Sequence, residues 1–320
     1  MSSAVESLLD KRNAVFRYNP PAANIDITTS AADWAWAVFA VMVLSAIGLL
    51  IMGHRRPVGE RAFHELAAAI CFTASIAYFS MASDLGSTPI RVEFVRRGDR
   101  GAKWVSQGIP DPTRSIWYVR YIDWTITTPL LMLELLLTTG LPLSQIFIVI
   151  FFDLLMVVNG LCGALVHSKY KWGFYVFGLC SLWVIWYFLL VPARASAARL
   201  GSDYSRTYVV STCFLSFLWI LYPLAWGLCE GGNVVTPTGE FFWYGVLDLL
   251  NKPVLLFVHC IGIEKLDYAR LGFSSGKVSD GALLSDKPPY TTPETPRTSM
   301  APSATPAATT TGANVHPQTA

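Results

Sequence analysis

Long apolar stretches separated by short polar ones fill most of the chain up to residue 265. Seven of these stretches reach the roughly 20 apolar residues that a helix needs to cross a bilayer. Because a segment in lipid must satisfy its own backbone hydrogen bonds, stretches of this length are helices rather than barrel strands. The predicted spans are 32–53, 62–84, 115–138, 143–166, 171–193, 207–229 and 240–263. The pattern therefore predicts an all-α membrane protein, a seven-transmembrane helix bundle.

The connection between the second and third predicted helices, 85–114, is much longer than the others. Within it, Arg91–Arg96 and Lys103–Val105 flank the polar turn Arg97–Gly101. This arrangement predicts a short hairpin outside the membrane, which is an extracellular hairpin if the N-terminus lies outside. The remaining connections are short, so helices that follow each other in the chain should be antiparallel neighbours.

Composition agrees with a bilayer as the surrounding solvent. The chain of 320 residues is 53% hydrophobic and 14% charged, whereas soluble domains carry about 25% charged residues. The net charge of +2 and the lack of a basic run give no reason to expect a nucleic-acid partner. The six cysteines lie in or beside apolar segments without the spacing of metal ligands, which predicts small core residues and no metal site.

The two ends of the chain differ from the predicted bundle. Residues 1–31 contain no apolar segment of the kind found in signal peptides and are interpreted as an N-terminal tail. We assign 32–270 to the helical domain. Residues 271–320 become rich in Ser, Thr and Pro and cannot bury a core, so they predict a disordered tail. Basic residues are divided between both sides and do not choose an orientation.

The third predicted helix carries ionisable residues inside a span, which makes them candidates for an ion or proton path. Arg120 and Asp123 are three positions apart, and Thr127 lies one turn beyond Asp123, within reach of its carboxylate. Glu134 follows Asp123 by 11 residues, or about three turns and roughly 16 Å on nearly the same face. Two carboxylates at different depths are what a stepwise proton relay needs. A structural contact between helices is the alternative for any one of them.

Lys252 lies in the middle of the seventh predicted span, one turn after Asp248. A buried ammonium is costly and should be neutralised, paired or chemically used. In a low-dielectric pocket a lysine can attack a carbonyl and form a Schiff base. Aromatic residues of the sixth span recur on one helix face, and further rings lie on the third and fifth spans; we expect these rings to surround Lys252 and form a slot for a long conjugated ligand. They are Trp219, Tyr222 and Trp226, with Trp124 and Tyr175.

Together these residues resemble the microbial rhodopsins, the bacteriorhodopsin-like seven-helix retinal proteins. The matching motifs are Arg-Tyr-x-Asp-Trp-x-x-Thr-Thr-Pro-Leu-Leu from Arg120, Trp-x-x-Tyr-Pro-x-x-Trp from Trp219, and Leu-Asp-x-x-x-Lys ending at Lys252. The resemblance covers 32–265 and is closest to the fungal branch.

The resemblance implies that Lys252 binds all-trans retinal as a protonated Schiff base. Asp123 would be the primary counterion and proton acceptor, and Asp248 the second counterion. Arg120 would lie on the outer side of the Schiff base, and Glu134 would reprotonate it from the cytoplasmic side. The implied retinal pocket comprises Trp124, Thr128, Leu131, Met156, Gly160, Trp219, Tyr222 and Trp226, with Asp153 hydrogen-bonded near the ring end.

Three positions depart from the bacterial pattern. The proton-donor position holds Glu134 instead of aspartate, as in some pumps and in slow-cycling fungal members. Glu230 and Glu240 match the proton-release carboxylates, but the spacing from Trp226 to Glu230 is one residue short. On the second helix, a pocket tyrosine is expected to be replaced near Met81.

The resemblance favours a light-driven outward proton pump over an enzyme. A sensory photoreceptor with weak or no pumping is the alternative. A channel, a chloride or sodium pump, and a seven-helix receptor without retinal fit the residues less well. The expected setting is the plasma membrane, with the N-terminus extracellular and the C-terminus cytoplasmic. The expected partners are the lipid bilayer, protons and further copies of the chain in a trimer.

Overall fold

The computed structural model describes residues 13–95 and 111–271. Within these ranges the seven predicted helices are all confirmed, and we label them α1 to α7. Each packs against its neighbours in the chain, and α7 packs back against α1, which closes the ring of helices. The helices are Thr29–His54 (α1), Ala62–Ala82 (α2), Tyr118–Leu136 (α3), Leu143–Leu165 (α4), Lys171–Leu200 (α5), Ser202–Gly231 (α6) and Pro237–Ile263 (α7).

Six of the seven helices are long and apolar enough to cross a membrane by length and composition. The exception is α3, which contains Arg120, Asp123 and Glu134, all of them buried. Large apolar side chains instead cover the outside of the bundle, as expected for a surface that faces lipid. The most exposed include Leu44, Phe147, Phe151, Trp183, Phe217 and Ile220.

The main error in the predicted helix ends concerns α5, which continues past the predicted end at residue 193 to Leu200. Proline lacks a backbone donor and usually disturbs a helix, and Pro192 lies just before the predicted end. The structure accommodates it in a wide π-helical turn, Leu189–Ala193, after which helix-favouring residues continue the helix. The helix ends at Gly201, whose φ of 140° favours glycine.

A two-stranded hairpin in this connection is confirmed, and its described strands lie on either side of the predicted turn, mostly outside the predicted first strand. Strand β1 is Thr88–Arg91 and strand β2 is Thr113–Ile116, paired antiparallel with Thr88 opposite Ile116. The predicted first strand contributes only Arg91, and residues 96–110, which include the predicted turn and second strand, lie outside the described residues. Backbone contacts beyond the hairpin fix β2, because Ile25 bonds both Thr113 and Ser115.

The segment before α1 therefore belongs to the folded part of the chain from residue 13 onward. Residues 15–18 form a short helical turn, and Ile25 and Ile27 are buried against the bundle. We call the end of the bundle that carries β1 and β2 the hairpin end. Residues 1–12 and the predicted disordered tail from 272 onward lie outside the described residues.

Two residues just after α2 have unusual backbone conformations that turn the chain toward β1. Gly86 has a φ of 83°, and a Cβ there would lie 2.6 Å from the Cβ of Val119, so only glycine fits. Asp84 has a φ of 55°, which aspartate and asparagine tolerate better than most residues. Both carboxylate oxygens of Asp84 are buried and lack hydrogen-bond partners in the described part of the chain.

Burial, with a smaller contribution from the charge of Asp26, raises the pKa of Asp84 to about 7. Because the folded state holds this proton more tightly than the unfolded chain, stability should fall as the pH rises from about 4 to about 7 and then level off. Asp84→Asn should therefore raise the melting temperature at about pH 8 and leave it nearly unchanged at about pH 4. Thermal unfolding of both proteins across this range tests the assignment; equal gains at both ends would contradict it.

Candidate functional site

Lys252 lies in a π-helical turn of α7, Leu250–Val254, which also contains Pro253. The wide turn accommodates the missing proline donor in the middle of the span. The lysine side chain is buried, and its Nζ lies 2.8 Å from Oδ2 of Asp123 and 3.0 Å from Oδ1 of Asp248. The sequence therefore identified the three groups that form the central ion cluster. The positive charge of a buried lysine is compensated by two neighbouring carboxylates. Removal of the lysine or of the carboxylates would leave a buried charge without an opposite charge beside it.

Asp248 is further held by two phenol groups. The hydroxyl of Tyr78 on α2 donates to Oδ2 of Asp248 at 2.6 Å, and that of Tyr222 donates to Oδ1 at 2.7 Å. The expectation that a pocket tyrosine of α2 is replaced near Met81 was therefore wrong. Tyr78 lies three residues before Met81, about one turn away on the same helix face. It is the one tyrosine of α2, and this could have identified it from the sequence.

Asp123 has one oxygen bound to Lys252 and the other, Oδ1, without a hydrogen-bond partner among the described residues. The hydroxyl of Thr127 donates to the backbone carbonyl of Asp123 at 2.8 Å. This arrangement leaves an acceptor site on a carboxylate that already contacts the lysine amine. Asp123 is therefore placed to receive a proton from Nζ.

Glu134 lies further along α3, toward the end of the bundle opposite the hairpin. Its side chain is fully buried, and its Oε1 lies 3.8 Å from Sγ of Cys260. It forms no ion pair with any described residue, and Oε2 lacks a hydrogen-bond partner there. A carboxylate charge in this position would be buried without compensation, so the site favours the protonated acid.

A second charged cluster lies toward the hairpin end. Nη1 of Arg120 is 2.5 Å from Oε1 of Glu240 and 3.5 Å from Oε1 of Glu230. The hydroxyls of Tyr121 and Tyr244 donate to the two oxygens of Glu230, at 3.1 and 3.2 Å. Glu230 therefore contacts Arg120 together with Glu240, although its spacing from Trp226 is one residue short of the bacterial pattern. The π-helical turn Gly227–Gly231 places it there, and a linear motif does not encode such a turn.

Sequence reasoning missed the second arginine of this cluster. Arg114 belongs to β2, is almost fully buried, and binds Oε2 of Glu240 through Nη2 at 2.7 Å. Its Nη1 donates to Oδ1 of Asn233 at 2.6 Å. The signal was weak, because Arg114 lies in a loop sequence and its burial depends on the pairing of β2 with Ile25.

An apolar cavity lies between α3, α4, α5 and α6, and its lining includes Asn251 of α7, the residue before Lys252. Its volume, counted as the space open to the centre of a water-sized sphere, is about 100 Å³. Eight predicted pocket residues line it: Trp124, Thr128, Met156, Gly160, Tyr175, Trp219, Tyr222 and Trp226. Further lining residues that were not predicted are Tyr121, Val157, Phe174, Gly178, Leu179, Leu182, Pro223 and Asn251.

Two predicted pocket residues are not part of the cavity lining. Leu131 is buried in the main hydrophobic core. Asp153 is fully buried and accepts a hydrogen bond from Thr128 at 2.8 Å, so it contacts the lining rather than the cavity. At the far end Tyr175 stacks on Trp226, with ring centres 5.1 Å apart. Flat aromatic walls, almost no polar surface and an amine beside one end fit a long apolar aldehyde such as retinal.

Comparison with known proteins gives the same family over the whole bundle. The sequence profile described as Bacteriorhodopsin-like protein matches residues 29–264. Protein FDD123 of Trametes versicolor is 44% identical over 301 residues, covering 94% of this chain and 98% of its own. Opsin-like protein carO of Fusarium fujikuroi is 46% identical over 272 residues, covering 83% and 86%.

A solved structure shares the fold at similar coverage. The light-driven proton pump Coccomyxa subellipsoidea rhodopsin CsR superposes with a TM-score of 0.68 and 30% identity, over 74% of this chain and 98% of its own. The profile match, the two relatives and this structure agree with the seven-helix architecture. The chain is therefore a member of the bacteriorhodopsin-like protein family.

Proposed function

We propose that the protein is a light-driven outward proton pump that carries retinal on Nζ of Lys252. The observation that supports this most directly is the pair of unlike carboxyl groups on α3. Asp123 contacts Lys252 and has a free oxygen, whereas Glu134 is buried without a cation. One group is suited to accept a proton and the other to hold one in reserve. The similarity to a light-driven proton pump supports the same reading.

When bound, retinal would supply light absorption, a change of shape and a protonated nitrogen at the end of Lys252. The aromatic walls of the cavity would orient it and exclude water. Asp123 would accept the proton from this nitrogen, and the hydrogen bonds from Tyr78 and Tyr222 would hold the Asp248 side chain in place beside it. Glu134 would then return a proton from the opposite side.

Direction follows from the two ends of the bundle. We assign the hairpin end to the extracellular side, so that Arg120, Glu230 and Glu240 lie on the exit path and Glu134 on the cytoplasmic side. In this orientation the charged cluster near the hairpin would pass protons outward from Asp123. Lipid surrounds the apolar outer faces of the helices.

The direct test is light-driven acidification. Cells or vesicles that contain the protein and retinal, in unbuffered medium, should acidify the outside on illumination, and an uncoupler should abolish the signal. A coloured protein that produces no light-dependent pH change would reject pumping. That result would favour a sensory photoreceptor instead. The complete burial of Glu134 is consistent with this alternative, because slow reprotonation makes a slow photocycle.

Glu134→Gln keeps the shape of the side chain and removes its proton. We expect light-driven transport at neutral pH to fall by about 100-fold, because return of the proton then lacks its donor. Azide, a small weak acid that enters buried sites, should restore part of the rate. The matched control is Glu65→Gln, an exposed glutamate of α2. Flash spectroscopy with a pH-sensitive dye measures the effect, and an unchanged cycle in Glu134→Gln would exclude this residue as donor.

A further inference from the structure

A buried histidine in the cytoplasmic half of the bundle has no part in the proposed function so far. His259 is fully buried on α7, seven residues beyond Lys252 and therefore about two turns closer to the cytoplasmic end. It lies at the same level of α7 as Cys260, whose sulfur contacts Glu134. The histidine thus directly precedes, on α7, the residue that contacts the carboxyl group to be reloaded after each cycle.

The contacts of His259 join three helices at this point. Its Nδ1 lies 2.9 Å from Oγ of Ser211 on α6, and the ring faces the backbone of Glu134 on α3. The other ring nitrogen, Nε2, has no hydrogen-bond partner within the described residues. Glu134 and Cys260, which contact each other, are the titratable residues at this level of α3 and α7. Neither His259 nor Glu134 forms an ion pair in the described part of the chain.

Packing alone gives no reason for an imidazole here. A buried ring nitrogen without a partner costs free energy that leucine or phenylalanine would not. Histidine is, however, the side chain that gains and loses a proton most readily near neutral pH, and it has two nitrogens for the purpose. The bond to Ser211 fixes the plane of the ring and leaves Nε2 free to exchange. The nearby Glu134 is otherwise sealed from solvent.

We propose that His259 is the proton relay that reloads Glu134 from the cytoplasmic side, with Ser211 positioning its ring. The neutral imidazole takes up one proton that entered from the cytoplasm. The imidazolium then gives one proton to a carboxylate oxygen of Glu134. The histidine ends neutral, Glu134 ends as the acid, and the net change is one proton consumed on the cytoplasmic side. This inference rests on the proposed pumping function.

The test follows the protonated carboxyl group of Glu134 by its infrared C=O band. After a flash, His259→Leu should leave the loss of this band unchanged and slow its recovery by about 10- to 100-fold. Azide should restore the recovery rate. His259→Gln should be equally slow, because its amide can bond to Ser211 but cannot carry a proton.

The matched control is His64→Leu. His64 is also a fully buried histidine without hydrogen-bond partners among the described residues, but it belongs to α2. Its replacement should leave recovery of the Glu134 band at the wild-type rate. A second readout needs neither light nor retinal: exchange of the Glu134 carboxyl proton for deuterium in the dark should be slowed by His259→Leu and not by His64→Leu.

Each outcome supports or overturns the relay. Wild-type recovery and exchange rates in both His259 variants would overturn it, as would equal slowing by His64→Leu. A slow recovery that azide does not restore, together with a lower melting temperature, would indicate a structural role instead. If the wild-type pigment moves no protons at all, the pumping proposal fails, and the dark exchange experiment still reports on the relay separately.

Discussion

Lys252→Arg should give a folded but colourless protein. The guanidinium keeps a positive charge between Asp123 and Asp248, so the ion cluster retains its balance, but arginine does not condense with an aldehyde. We expect complete loss of the visible absorption band when retinal is added during expression. Lys252→Ala should lose colour too and also be destabilised by about 3–5 kcal/mol, because it leaves two buried carboxylates without a cation.

The control for this experiment is Lys265→Arg. Lys265 is an exposed lysine just beyond α7, and its replacement should leave the colour unchanged. Absorption spectra give the first readout. Mass analysis after reduction of the linkage gives the second, since the retinal adduct should be found on the peptide that contains residue 252. A coloured Lys252→Arg protein would reject the linkage, and the pumping proposal with it.

Asp123→Asn should stop pumping and shift the absorption of the pigment to the red. The carboxylate lies 2.8 Å from Nζ of Lys252, where it stabilises positive charge at the nitrogen. Light moves that charge along the retinal chain. Loss of the counterion therefore raises the energy of the ground state more than that of the excited state, and the energy gap that sets the absorption wavelength becomes smaller. Transport should fall by about 100-fold or more, because the proton acceptor is gone.

Two variants separate these effects from a general loss of charge. Asp123→Glu keeps a carboxylate and should retain part of the transport with a smaller spectral shift. Asp84→Asn removes a carboxylate outside the site and should leave both colour and transport unchanged. Action spectra and light-induced pH changes measure the two effects. An unshifted spectrum in Asp123→Asn would show that another group is the counterion.

Local sequence patterns were sufficient for much of this protein. Apolar stretches of the right length fixed the seven helices, since lipid allows no other backbone arrangement for them. Lys252 and Asp248 share a face of one helix because they are four residues apart, and the spacing on α3 aligned Asp123 with Glu134 in the same way. Lys252 with Asp248 and the motif of α3 were also the residues that carried the resemblance.

Contacts between segments that are distant in the chain were harder to predict from the sequence. Tyr78 was overlooked because the position of a side chain that reaches across helices depends on the rotation of α2, which an apolar sequence barely restricts. Arg114 was overlooked because its burial requires β2 to pair with the segment around Ile25, almost 90 residues earlier. The short spacing of Glu230 was misleading because a π-helical turn corrects it.

By itself, therefore, the sequence determined the helices and the identity of the buried charges, because hydropathy and helical periodicity are local properties. The tertiary structure decided which partner each charge has. It paired Lys252 with Asp123 across the bundle, gave Asp248 two phenols, placed Arg114 against Glu240, and placed the thiol of Cys260 against Glu134. These partners decide where a proton is held or released, and they depend on helix rotation and wide turns, which arise only when all seven helices pack together.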